Sequence, residues 1–174
     1  MQKQYLWLKD LKGPKVIVEA MKLYGITEIK GPKHNDKIMS WAEETGLKKT
    51  YTSDEIAWCG LFAAVVVQRA NFEPVKDPLW ARNWSKFGKA EKVAMLGDIL
   101  VFSRDGGGHV GFYVGEDNTA YHVLGGNQSD QVNVTRILKT RLLAIRRCPW
   151  RIAQPKEVKV IKLNAEGIIS KNES

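Results

Sequence analysis

The sequence predicts an α+β fold in which helices come first and an antiparallel sheet follows. Three observations carry that expectation. In the first half, apolar residues recur at helical spacing between proline or asparagine starts and glycine stops. The second half breaks into five short runs rich in β-branched and aromatic residues, separated by turn clusters. The two kinds of element do not alternate, as a doubly wound parallel sheet would require.

Gly13-Pro14 sets the first helix start, and VIVEAMKLY runs apolar to a stop at Gly25. Asn35 is placed to cap a second helix whose Ile38, Trp41, Ala42 and Thr45 share one face, ending at Gly46. A third begins near Cys59, continues as GLFAAVVVQRA and stops around Asn71. Asp77-Pro78 opens a short fourth carrying Trp80, Trp84 and Phe87, closed by Gly88. The strand candidates are DILVF (98–102), HVGFYVG (109–115), AYHVL (120–124), VNVTRI (132–137) and RLLAIR (141–146). These elements form one expected domain over residues 1–152. The polar extension 153–174 reads as either an edge hairpin or a loosely attached tail.

A chain of 174 residues with 44% hydrophobic and 26% charged residues can bury one core without staples. Two cysteines imply no disulfide framework, so each is read for reactivity. The net charge of +8 suits an anionic partner: nucleic acid, anionic lipid or the bacterial envelope. Its lysines and arginines are scattered, which selects none of these. Near the N-terminus the apolar run Leu6-Trp7-Leu8 is only three residues long before charge returns, which reads as no cleavable secretion signal. The run Leu61 to Val67 is far short of the ~20 residues that span a bilayer. The expectation is a chain made soluble that depends on other machinery for export.

Cys59 stands at the opening turn of an apolar helix, where unpaired N–H groups and the helix dipole favour a thiolate. Trp58 before it offers an aromatic wall, Gly60 after it room for close approach, and Asp54 a further cleft side chain. The competing reading is a core cysteine, with Trp58 as packing and Asp54 as a cap. His109 follows Asp105-Gly106-Gly107-Gly108 and opens a strand, a position for the general base that a cysteine nucleophile needs. The glycines formally match G-x-G-x-x-G, but a strand follows them instead of a helix, so nucleotide binding is rejected. His34, His109 and His122 lack metal-site spacing, and no cofactor is expected. Two residues compete to orient His109. A hairpin turning at Asp117-Asn118 would set 113 opposite 122, placing His122 on the face of His109. Asn127 joins that face only if Gly125-Gly126 makes a bulge.

The strings D-E-x-x-W-C-G, G-G-G-H-V-G-F-Y-V-G-E-D and Y-H-V-L-G-G-N-Q-S-D together resemble a phage- and bacterium-borne family of small cell-wall hydrolases. That family lies within the papain-like group of CHAP and NlpC-type amidases and peptidases. The resemblance runs from about Tyr24 to Arg147 and implies a papain-like fold cutting amide bonds of peptidoglycan. Cys59 and His109 match its catalytic pair. Its CHAP-type members place an Asn or Glu where Asn127 stands, and its NlpC-type members a His where His122 stands. The GGNQ string favours Asn127 as third catalytic residue, leaving His122 and Trp58 as substrate contacts. A monomer acting on peptidoglycan as a phage lysin or exported effector is implied, with no nucleic-acid partner. The competing functions are a cysteine acyltransferase with the same residues and a non-catalytic basic module binding nucleic acid.

Overall fold

The computed structural model describes residues 1–31, 33–150, 153–171 and 173. Its helices are α1 (Lys15–Met21), α2 (Asp36–Glu44) and α3 (Cys59–Arg69). Asn35 caps α2 as expected, its side chain accepting from Lys37 N–H. Gly25, Gly46 and Asn71 take the left-handed conformation after the three helices. The helical segment expected after Pro78 is a 3-10 turn, Ala81–Lys86. A further 3-10 helix, Lys3–Asp10, buries Tyr5 and Leu8, although no apolar periodicity announced it.

The strands are β1 (Lys89–Ala90), β2 (Ile99–Arg104), β3 (Gly107–Glu116), β4 (Ala120–Gly125), β5 (Asn133–Leu138) and β6 (Leu142–Arg147). They form a six-stranded sheet in the order β1-β6-β2-β3-β4-β5, every neighbour antiparallel. The α+β expectation holds, with five strands where the turn residues placed them. β1 is the addition, a two-residue edge pairing with β6.

α3 is apolar on every side and accordingly buried on every side, from Cys59 to Val67. It packs on the sheet face carrying Val101, Val110, Phe112 and Leu124. The other face carries Leu100, Phe102, Tyr113 and Val123 in a smaller cluster.

Two features depart from the reading of the sequence. First, β3–β4 pairing slips between Tyr113 and Gly115, so His122 lies opposite Gly115 and not opposite Tyr113. A one-residue slip reverses the facing of everything beyond it. His122 therefore leaves the face of His109 and turns to the N-terminal segment. Second, the C-terminal extension is neither a hairpin nor loose. Parallel bridges join Glu116 to Lys162 and Arg136 to Ile169. Leu163 occupies the space Gly115 leaves open, since a Cβ there would stand 2.3 Å from the leucine side chain. The Glu173 carboxylate is fully buried on Arg141 through two bonds of 2.8 and 2.7 Å. The boundary expected at residue 152 lies outside the described residues.

His122 anchors the chain start. Its Nε2–H donates to Asp117 at 2.9 Å, which leaves Nδ1 to accept from Tyr5 O–H at 2.7 Å. Asp117 also accepts from Arg136 at 2.8 Å, and burial holds the Tyr5 phenol protonated with a pKa raised to about 12. Tyr5→Phe would keep the ring and strand the buried Nδ1. The expected loss is about 1–3 kcal/mol in urea unfolding, and an unchanged midpoint would show that the bond contributes nothing.

Candidate active site

Cys59 is the first residue of α3 and is 3% exposed. Its neighbour Gly60 admits no side chain, because a Cβ would come 2.2 Å from the Pro78 carbonyl oxygen. That glycine seats the chain at Pro78-Leu79 against the helix and does not open a path for substrate.

The sulfur meets β3 at the Val110 peptide, accepting a hydrogen bond from its N–H. The location follows from the sheet. Tyr113 N–H bonds to Asp98 O on the β2 side, so by alternation the Val110 N–H points toward β4. Paired residues of β3 and β4 begin only at Phe112 and Leu124. Toward the start of β3 the two strands part, and the thiol takes the N–H that β4 no longer reaches. Burial pushes the Cys59 thiol pKa up, against the Val110 N–H, the Arg104 charge and the N–H groups of the first helical turn.

His109 precedes Val110 on β3, so its side chain lies on the other face of the sheet, and it pairs with Phe102. Its ring is fully buried, and Nε2 lies 3.0 Å from Gln128 Oε1. The Gln128 amide nitrogen is committed to Val123 O at 3.2 Å, Asn133 O at 2.8 Å and Asn133 Oδ1 at 2.9 Å. Only the amide oxygen is left for the imidazole, so Nε2 carries the proton and Nδ1 the lone pair. That Nδ1 has no hydrogen-bond partner. Cys59 and His109 therefore approach β3 from opposite faces, and no hydrogen bond joins them. Burial pulls the His109 pKa down to about 4, against the Glu173 charge and the Gln128 bond. Thiol and imidazole are both neutral at pH 7.

The paired glycines serve both faces. A Cβ at Gly125 would stand 2.7 Å from Gln128 Oε1 and 3.2 Å from His109 Nε2. One at Gly126 would strike Phe62 and Trp58, at 2.6 and 2.7 Å. One glycine makes room for the Gln128–His109 bond, and the other lets β4 lie flush on α3.

The remaining expected site residues are placed elsewhere. Asn127 turns the chain at φ 57°, and it is Gln128 after it that reaches His109. Trp58 is fully buried, donating to Glu28 at 2.9 Å and packed on Trp41, so it is core and not a cleft wall. His122 is sealed between Tyr5 and Asp117. Asp54 is buried as an acceptor for His34 and the Ile29 and Asn35 N–H groups. Cys148 is buried and unbonded, its pKa raised to about 12 by burial.

The open side of Cys59 is a groove of about 420 Å³, walled by Leu79, Trp80, Arg104 and the glycines 106–108. Trp80 is 74% exposed and also borders an adjoining hollow of about 360 Å³ over the same glycines. Sequence reading passed over Gln128, Trp80 and Arg104. Gln128 was visible as a second amide in GGNQ, long enough to fold back from a turn. No protein-family model and no curated protein matches the chain.

The buried neutral histidine sets a pH dependence. Its folded pKa, about 4, lies below the ordinary 6.5. Its contribution is fully present above pH 6.5 and is lost as pH falls toward 4. The loss amounts to about 3 kcal/mol at most. Denaturant unfolding at pH 7.5, 5.5 and 4.5 is expected to show this decline in the parent and a shallower one in His109→Gln. Parallel declines would mean that His109 titrates normally.

Proposed function

We propose that the chain is a cysteine-dependent hydrolase of papain-like type that cuts amide bonds of bacterial cell-wall peptide. The observation that carries the chemistry is the His109 imidazole. Its tautomer is set by Gln128 and its Nδ1 is unpaired, while the Cys59 thiol meets the next residue of the same strand at the Val110 N–H. A base held by a third side chain beside a helix-start nucleophile is the arrangement acyl transfer needs.

In this reading Nδ1 takes the thiol proton as Cys59 attacks the carbonyl. Both groups rest neutral, so proton transfer accompanies attack and does not precede it. The developing oxyanion is held by N–H groups of the first turn of α3. The imidazolium then protonates the leaving amine, and water hydrolyses the thioester with His109 again as base. In this reading the Cys59–His109 hydrogen bond forms only when substrate binds.

Wall peptide as the substrate is supported by the motif resemblance and by the +8 charge, which favours an anionic polymer. The Cys59 groove and the hollow beyond it adjoin, sharing Trp80, Ala81 and the glycines 106–108. Endopeptidase action within the peptide and amidase action between sugar and L-alanine use the same groups.

Purified peptidoglycan digested with the protein and analysed by mass spectrometry tests this. Cys59→Ala should release no fragments. Gln128→Ala should lower turnover by ~10²-fold, as expected for loss of the group that sets the tautomer. Asn127→Ala should stay within a few-fold. Fragment release by Cys59→Ala at the parent rate would overturn the proposal.

A further inference from the structure

Arg104 ends β2, and its side chain lines the Cys59 groove. Other arginines near the sheet are occupied. Arg82 donates to Gly107 O, Arg141 holds Glu173, and Arg147 holds Asp98. Among the described residues no hydrogen bond or ion pair engages the Arg104 guanidinium. Its charge nevertheless bears on both reacting groups, pulling the Cys59 pKa down and opposing a proton on His109.

A planar guanidinium presents five donors in a fork that matches a carboxylate. Left unpaired on a groove wall, it offers an anion charge-assisted bonds with little rearrangement. The surroundings leave space for one. A Cβ at Gly106 or Gly107 would meet nothing within 4 Å, so the turn beside Arg104 is open. Trp80 supplies an apolar surface alongside.

We propose that Arg104 is a carboxylate-binding subsite of the Cys59 groove, selecting acyl groups that carry a free carboxylate near the carbonyl under attack. Peptides in which that carboxylate is amidated are then poor ligands. The substrate clause rests on the hydrolase reading above; the subsite itself does not.

The test uses Cys59 alkylation in the full chain with Cys148→Ser, so that one thiol reports. Iodoacetate and iodoacetamide both react with the thiolate, so a change in thiol pKa cancels in the ratio of their rates. Arg104→Gln should lower the iodoacetate-to-iodoacetamide ratio by about fivefold or more, the effect of one nearby charge. Arg104→Lys should keep it within about twofold. A second measurement needs no Arg104 variant: N-acetylglutamate should slow alkylation by iodoacetamide, and its uncharged diamide, N-acetylglutamine amide, should not. An unchanged ratio in Arg104→Gln, or equal protection by the two ligands, overturns the subsite. A shifted ratio with selective protection, in a protein that releases no wall fragments, upholds the subsite and sinks the hydrolase reading alone.

Discussion

The arrangement of the site depends on the Gln128 amide having only one orientation. Three oxygen acceptors surround its nitrogen, and Asn133 Nδ2 in turn donates to the Gln128 backbone carbonyl. Reversing the amide would set its oxygen against those acceptors inside a buried pocket, where an unsatisfied polar group costs about 1–3 kcal/mol. The imidazole facing it therefore has its tautomer chosen by groups two shells away. β5 fixes the tautomer without touching the ring, because Asn133 is where that strand begins. The glycine at 125 belongs to the same constraint, as any side chain there would fill the space in which the bond is made.

The second constraint is the parting of β3 from β4. A sheet paired along its whole length would give the Val110 N–H to β4 and leave the Cys59 sulfur without that donor. The turn 126–131 starts the divergence, with Asn127, Ser129 and Asp130 all in the left-handed conformation. Gly25 and Glu28 N–H bond to Val132 and Asp130 O from the helical side, holding the opened turn in place. Burial keeps the Cys59 thiol and the His109 imidazole neutral, and the one unpaired guanidinium of the groove, Arg104 among the described residues, supplies the local positive potential.

Much of this was legible in the residues. The caps and stops of α2 and α3 are local signals, written in Asn35, Gly46 and Asn71, and the strands follow from β-branched runs between turn clusters. Cys59 at a helix start and His109 at a strand start were readable for the same reason. What escaped depended on non-local geometry. Strict alternation put His122 beside His109, and a slip of one residue at Val114 reversed it. Asn127 was favoured as an amide at the right place, but its left-handed backbone passes the contact to the next residue. Trp58 read as a wall because exposure cannot be told from composition; the exposed indole is Trp80, carried by a 3-10 turn. The C-terminal strap is held by single bridges and the Arg141–Glu173 pair, which leave no periodic pattern to read.

Gln128 holds His109 as the Nε2–H tautomer with Nδ1 unpaired. Nitrogen-15 chemical shifts of the histidine ring measure it directly. At pH 7 the His109 Nδ1 should resonate as a bare pyridine-type nitrogen and Nε2 as a protonated one, the pair titrating near pH 4. In Gln128→Ala the two shifts should move toward the average of an exchanging pair. A protonated Nδ1 in the parent, or shifts indifferent to Gln128, would contradict the account.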